Sequence, residues 1–144
     1  MSTKDDKIEV FVQGKPVPQG SLNPMPFKRK NGKLGVNVFQ KPELIEWRES
    51  IAKVVKENRK GVFFSKETPV KVCLFFRLLR PKSAKRKFPS CKGIDIDKAC
   101  RSVLDALSEV AYADDCQVVF LSAMKVYVDD EDKQGVFITI TGFE

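Results

Sequence analysis

"VKVCLFFRLL", residues 70–79, carries Val70, Val72, Leu74, Phe76 and Leu78 on one side, and its other side is also largely apolar. Side chains of a strand alternate between two faces, and a run that is apolar on both belongs near the centre of a sheet. Upstream, Leu44, Trp47, Ile51, Val54 and Val55 recur at helical spacing between charges, and Pro42 stands where a first turn tolerates it, which predicts a helix over residues 43–58. At the start, "IEVFVQGKPVPQGS" alternates at Ile8, Val10 and Val12 and breaks at Gly14, Pro16 and Pro18: a strand running into a loop. The segment "NPMPFKRKNGK", residues 23–33, is rich in proline, glycine and base and reads as a loop whose "NG" turns the chain into a short strand, "VNVF".

Downstream, "RPKSAKRKFPSCKG", residues 80–93, holds two prolines, six basic residues and no acid, so it is a loop. A second helix follows, with Asp97 as its expected N-cap and Ala99, Val103, Ala106, Leu107 and Val110 facing inward. "QVVFLSAMKVYV" and "GVFITITG" flank the acidic turn "DDEDKQ" and read as a β-hairpin. Strands and helices do not alternate regularly, which predicts an α+β fold: a small mixed sheet of about four to five strands covered by two main helices, in a single domain spanning residues 1–144.

A chain of 144 residues with 42% apolar residues suffices for one core. No run approaches the roughly 18 apolar residues of a membrane span, and the first apolar stretch follows the charged "STKDDK". A soluble, cytoplasmic protein is expected, with Cys73, Cys91, Cys100 and Cys116 as reduced thiols that lack the close pairing of a zinc site. There is no histidine, so catalysis must rest on carboxylates, amines, hydroxyls, thiols or a metal held by oxygen ligands. The net charge of +7 is unevenly spread: residues 93–144 set four basic residues against eleven acids, a net of −7, and the remainder carries +14. A basic surface favours polyanions such as nucleic acid or an anionic membrane, and equally serves solubility.

In "GIDIDKACRSVLDAL", residues 93–107, Asp95 and Asp97 stand two apart at the mouth of the second helix. In an extended lead-in their side chains point the same way and can share one hard cation; Mg²⁺ is commonly held by one or two carboxylates together with the phosphate of its substrate. "AYADDCQVV" offers a third carboxylate at Asp114 or Asp115. Each acid also has a plain structural role open to it, as helix cap or turn former. Arg101 and Asp105 fall one and two turns after Asp97, which fits either a ladder of exposed ion pairs or an arginine placed beside a metal site.

The succession of the "VKVCLFFRLL" strand, a basic loop, "DIDKACRSVLDAL" and "YADDCQVV" resembles the RusA family of Holliday-junction resolvases, small phage and bacterial endonucleases that nick four-way DNA junctions. The likeness is most specific over residues 94–119 and reaches more loosely to "FVQGKPVPQGS" and the helix around Trp47. The family pattern, approximately D-x-D-N-x-x-K, D-A-L and D-D-x-Q-V, falls here on Asp95, Asp97, Lys98 and Arg101, on Asp105-Ala106-Leu107, and on Asp114, Asp115, Gln117 and Val118. The resemblance implies that Asp95, Asp97 and Asp115 bind Mg²⁺, or Mn²⁺ in its place, with Asp114 their neighbour. Two positions depart: the family's asparagine is Lys98 and its lysine is Arg101. Arginine keeps the charge but gives up no proton near neutral pH.

The resemblance implies an endodeoxyribonuclease in DNA recombination and repair that resolves junctions by paired Mg²⁺-dependent nicks, each leaving a 5′ phosphate. A junction of near two-fold symmetry suits a homodimer with two identical sites, and the family is dimeric. Lys28, Arg29, Lys30, Lys82, Lys85, Arg86, Lys87 and Lys98 are the expected DNA contacts. Phe27 and Phe88 lie inside the basic stretches, where inward packing is expected and a wedge between bases is the alternative. Two other functions keep the same residues: a branched-DNA binder that does not cut, and a metal-dependent nuclease acting on other DNA structures.

Overall fold

In the computed structural model, β4 (Val70–Leu79) has a neighbour on each side, β5 (Val118–Val128) in parallel and β6 (Gly135–Gly142) antiparallel. β1 (Lys7–Gln13) pairs antiparallel with the far edge of β6, giving a four-stranded mixed sheet in the order β1-β6-β4-β5. The structure describes residues 6–20, 23–28, 30–32, 34–39, 41–90 and 93–143, so Arg29, Cys91 and Lys92 lie outside the described residues, as does the ring of Phe27. Among the described residues Cys73, Cys100 and Cys116 are free thiols, and no helix is long and apolar enough to cross a membrane.

One face of the sheet is covered. Ile8, Val10 and Val12 of β1, Val70, Val72, Leu74 and Phe76 of β4, and Val136, Ile138 and Ile140 of β6 are all buried. Against them lie α1 (Pro42–Asn58), through Trp47, Ile51 and Val55, and α2 (Ile96–Leu107), through Ala99, Val103 and Leu107. The two helices pack on each other, α1 over β1 and α2 beside β5. Each such side chain stabilises the fold by roughly 1.5–3 kcal/mol on leaving water, so the apolar positions at strand and helix spacing dictate this layer. The α+β class, the central place of β4 and the inward stripe of α1 agree with the sequence reading.

The hairpin expectation for β5 and β6 is corrected. The two strands do not pair, because β4 lies between them. A strand apolar on both sides is stabilised by a partner on each edge, and the six residues 129–134 are long enough to cross two strand spacings of about 4.8 Å each. The crossing is pinned to the end of β4: Arg80 Nε donates to Asp129 Oδ1 at 2.7 Å, and Leu79 N–H donates to Gln134 Oε1 at 3.1 Å.

The stretch read as a loop over residues 23–33 is corrected as well. β2 (Asn23–Lys28) pairs antiparallel with β3 (Leu34–Phe39) in a separate two-stranded ribbon. Its two prolines argued against a strand, but a two-stranded ribbon gives each strand a free edge where a missing N–H costs nothing. Gly32, with φ of +82°, lies in the connecting turn.

The open face of the sheet is aromatic. Phe11 and Phe137 have ring centroids 4.5 Å apart, and Phe120 and Phe143 stack at 5.8 Å. Arg77 lies 5.4 Å above Phe137 and Lys71 4.9 Å above Phe120. A one-residue bulge puts Val118 opposite Val70 but Phe120 opposite Lys71. The extra residue, Val119, turns Phe120 onto the open face and Leu121 toward α2.

Candidate active site

Asp95 is the N-cap of α2 by its backbone: Ala99 N–H donates to the Asp95 carbonyl at 2.9 Å. The expectation that Asp97 caps the helix is therefore corrected, because Asp97 already sits inside the first turn. The Asp95 side chain makes no capping hydrogen bond either. With the backbone closing the turn through Asp95, neither carboxylate is spent on the helix end, where negative charge is favoured in any case. Gly93, with φ of +102°, turns the chain out of the basic loop, and Lys125 Nζ on β5 donates to the Ile94 carbonyl at 2.8 Å, fixing the lead-in to both acids. Helix α2 ends at Leu107, so Val110 lies beyond the helix, although it packs inward against the core as expected.

The second acid pair is built differently. Gln117 is buried and links two segments: its Nε2 donates to the carbonyls of Ser65 at 2.8 Å and Thr68 at 2.9 Å, while its Oε1 accepts from the N–H groups of Ala113 at 2.9 Å and Asp114 at 3.0 Å. Asp114 in turn accepts from Cys116 N–H at 3.0 Å and caps the single 3₁₀ turn Asp115–Gln117. Tyr112, fully buried, donates from its hydroxyl to the Leu104 carbonyl at 2.8 Å and ties the approach to α2. Asp114 is thus spent on the turn, and Asp115 is left to project.

Asp97 and Asp115 line one cleft together with Arg101. The cleft measures about 470 Å³, lies between α2 and β5, and has an apolar floor that includes Cys100, Leu104, Leu121 and Ala123. The Asp115 carboxyl is pushed above the ordinary carboxylate range by partial burial first, then by its hydrogen bond to Asp114 and the charge of Asp105. Asp114 is held below that range, chiefly by the Cys116 N–H and next by Asp115. Burial, and then the Asp97 charge, pushes the Cys100 thiol up to about 11, so at neutral pH it is a neutral thiol and not a soft metal ligand or nucleophile. What the cleft offers a ligand is two carboxylates and one guanidinium.

The expected residues do not all converge. Asp95 is exposed and pairs with Lys98 at 3.4 Å, and it is absent from the cleft lining. Among the described residues no three acidic or thiol side chains stand close enough together to hold a metal. The ladder along α2 does not form: among the described residues Arg101 is in no ion pair, and Asp105 is engaged instead by Gln19, whose Nε2 donates to its Oδ2 at 2.5 Å. Gln19 was not singled out from the sequence, where a glutamine between proline and glycine gives no sign of reaching across 86 residues. Lys28, Lys30, Lys82, Lys85, Arg86 and Lys87 are exposed. The basic loop lies along the outer edge of β5, where Tyr127 N–H donates to the Lys87 carbonyl at 2.9 Å, so cleft and loop share one strand. Phe88 is 51% exposed, against the expected inward packing.

The model of the family described as endodeoxyribonuclease RusA matches residues 14–141, from the end of β1 into β6. The chain belongs to the RusA family. Membership makes it kin to Holliday-junction-resolving endodeoxyribonucleases, and the RusA match takes in the cleft, the basic loop and the β2–β3 ribbon together. Comparison with curated proteins finds no match to the chain. In the structure Gln117 and Asp114 build the turn, and Asp97, Arg101 and Asp115 meet at the cleft.

Proposed function

We propose that the protein resolves four-way DNA junctions by paired, metal-dependent nicks made at the cleft between α2 and β5. The observation that carries this reading is the meeting of Asp97, Arg101 and Asp115 in one cleft, from positions 18 residues apart at its extremes, inside a family whose members cut such junctions. Asp97 and Asp115 supply hard oxygen donors, and Asp115, raised first by burial and then by its hydrogen bond to Asp114 and the charge of Asp105, is a carboxyl whose ionised form a divalent cation would stabilise. The donor set therefore fits Mg²⁺ or Mn²⁺. When bound, such an ion polarises the scissile phosphate and acidifies water for attack.

The residues of the chain do the rest. Asp97 and Asp115 would hold the ion, and Asp95 would complete the set on giving up its exposed pair with Lys98, which at 3.4 Å between well-exposed side chains costs little to break. Arg101, unpaired among the described residues, turns its planar fork to a phosphate oxygen and stabilises the charge that grows there. Because arginine transfers no proton near neutral pH, this role is electrostatic only. Lys82, Lys85, Arg86 and Lys87, lying beside β5, neutralise backbone phosphates on the way to the cleft, and Lys28, Arg29, Lys30 and Lys98 are the further phosphate contacts of this reading. The exposed ring of Phe88 is suited to wedge between bases where the junction opens.

A second copy of the chain covers the open sheet face. Phe120, Met124, Phe137 and Phe143 are 39–49% exposed there, a larger apolar surface than single exposed residues account for. The cleft lies on the helix side, so back-to-back pairing through that face leaves both clefts open for two matched cuts. The test is cleavage of a labelled four-way junction beside linear duplex of the same sequence, with Mg²⁺ or with EDTA. Paired nicks on the junction alone, lost in EDTA, are expected. Tight junction binding with no cut under any metal would favour the non-cutting binder, and equal cutting of linear duplex a nuclease of other specificity.

A further inference from the structure

The loop after β1 is fastened to α2 by three hydrogen bonds. Ser102 Oγ donates to the Val17 carbonyl at 2.8 Å, Gln19 N–H donates to the Lys98 carbonyl at 2.9 Å, and Gln19 Nε2 donates to Asp105 Oδ2 at 2.5 Å. The first two are backbone fastenings that any loop could use. The third joins two side chains and leaves Gln19 Oε1 buried with no partner among the described residues, so the amide is turned to serve Asp105 and not its own acceptor. An acceptor is left unmet in order to hold a carboxylate.

Asp105 needs holding. It lies four residues after Arg101 on α2, the spacing at which arginine and aspartate ordinarily pair, and such a pair would neutralise the one guanidinium of the cleft. It also neighbours Asp115 closely enough for their carboxyl groups to interact. A neutral amide donor fixes Asp105 without cancelling its charge. That keeps the carboxylate beside Asp115 and off Arg101.

We propose that Gln19 is a positioning residue of the candidate metal site: through Asp105 it sets the carboxylate beside Asp115 and leaves Arg101 unpaired for phosphate. This rests on the metal reading of the cleft. Residues that orient a ligand from behind typically change metal affinity by about 10- to 100-fold when removed.

The test uses the full chain, Gln19→Ala, and Ser102→Ala, which loosens the same loop without touching Asp105. Mn²⁺ alone is titrated calorimetrically, melting temperature is recorded, junction binding is measured in EDTA, and the Mg²⁺ concentration for half-maximal nicking is determined. Gln19→Ala is expected to weaken Mn²⁺ binding about tenfold and to raise the Mg²⁺ requirement in step, with junction binding in EDTA unchanged. Ser102→Ala is expected to bind Mn²⁺ as the wild type does. Equal Mn²⁺ affinity in Gln19→Ala and wild type would overturn the inference alone, as would equal losses in both variants, which would mean a merely structural loop. A wild type that binds no Mn²⁺ would overturn the metal reading and this inference with it.

Discussion

The two acid pairs look alike as sequence and are built on opposite principles. Asp95 and Asp97 enter α2 where the backbone itself closes the first turn, and neither carboxylate is used as a cap. Asp114 and Asp115 enter a 3₁₀ turn that cannot stand unaided: Gln117 braces it from below and Asp114 caps it, leaving only Asp115 to face the cleft. A helix mouth can lend both its acids to chemistry, because the helix is already stabilised by the packing of Ala99, Val103 and Leu107. A tight turn spends one acid to aim the other.

The sharpest way to break this contrast is to neutralise the four acids one at a time. Asp97→Asn and Asp115→Asn, and Asp95→Asn with them, are expected to slow junction nicking on the order of a thousandfold or more, as removal of a member of a catalytic unit does, while junction binding in EDTA persists. Asp114→Asn is expected to keep most of the nicking rate, because asparagine caps as well as aspartate. Quantitative gel assays of the four variants would read this directly, and a loss at Asp114 equal to that at Asp115 would remove the distinction.

Next in size is the brace. Gln117→Ala strips partners from backbone groups of two segments, 65–68 and 113–114, and is expected to cost about 3 kcal/mol, at roughly 1–3 kcal/mol for each group left unsatisfied, read by chemical denaturation. Among the described residues no comparable brace lies under Asp95 and Asp97. There the corresponding test is Lys125→Met, which removes the tether to Ile94 and is expected to cost about 1 kcal/mol.

A smaller effect separates the pairs by pH. The raised Asp115 binds its proton more tightly in the folded state than in the unfolded one, so ionising it weakens the fold as pH rises through its folded pKa. Asp114 has the opposite sign: its lowered pKa adds stability that is present above the ordinary carboxylate value of 3.8 and is lost as pH falls through the folded value. Asp115→Asn is therefore expected to raise the melting temperature slightly at pH 7 without metal while abolishing cleavage, and the rise should disappear at acid pH. The smallest expected change is at Phe88, where replacement by alanine should move stability by no more than about 0.5 kcal/mol yet slow nicking. A clear fall in melting temperature would mean that the ring packs after all.

These contrasts mark what the sequence could express. β4, apolar on both sides, declared its central place, and the stripes of α1 and α2 declared the covered face. The pairing of β5 was hidden, because a six-residue turn rich in acids looks the same whether it joins neighbours or crosses over β4. β2 was hidden by its prolines, which forbid a central strand but not a ribbon with free edges. At the site, the spacing of Asp95, Asp97 and Asp115 was legible through the family pattern, and the structure brings two of the three to the cleft. Gln19 was illegible, because hydrogen bonds between side chains 86 residues apart leave no local pattern.

The most direct test of the central claim is to locate the ion. Crystals soaked in Mn²⁺ should give an anomalous scattering peak between Asp97 and Asp115, beside Arg101, with Asp95 turned away from Lys98 toward it. A peak at the acidic turn 129–132 instead, or none at the cleft at any Mn²⁺ concentration, would contradict the account.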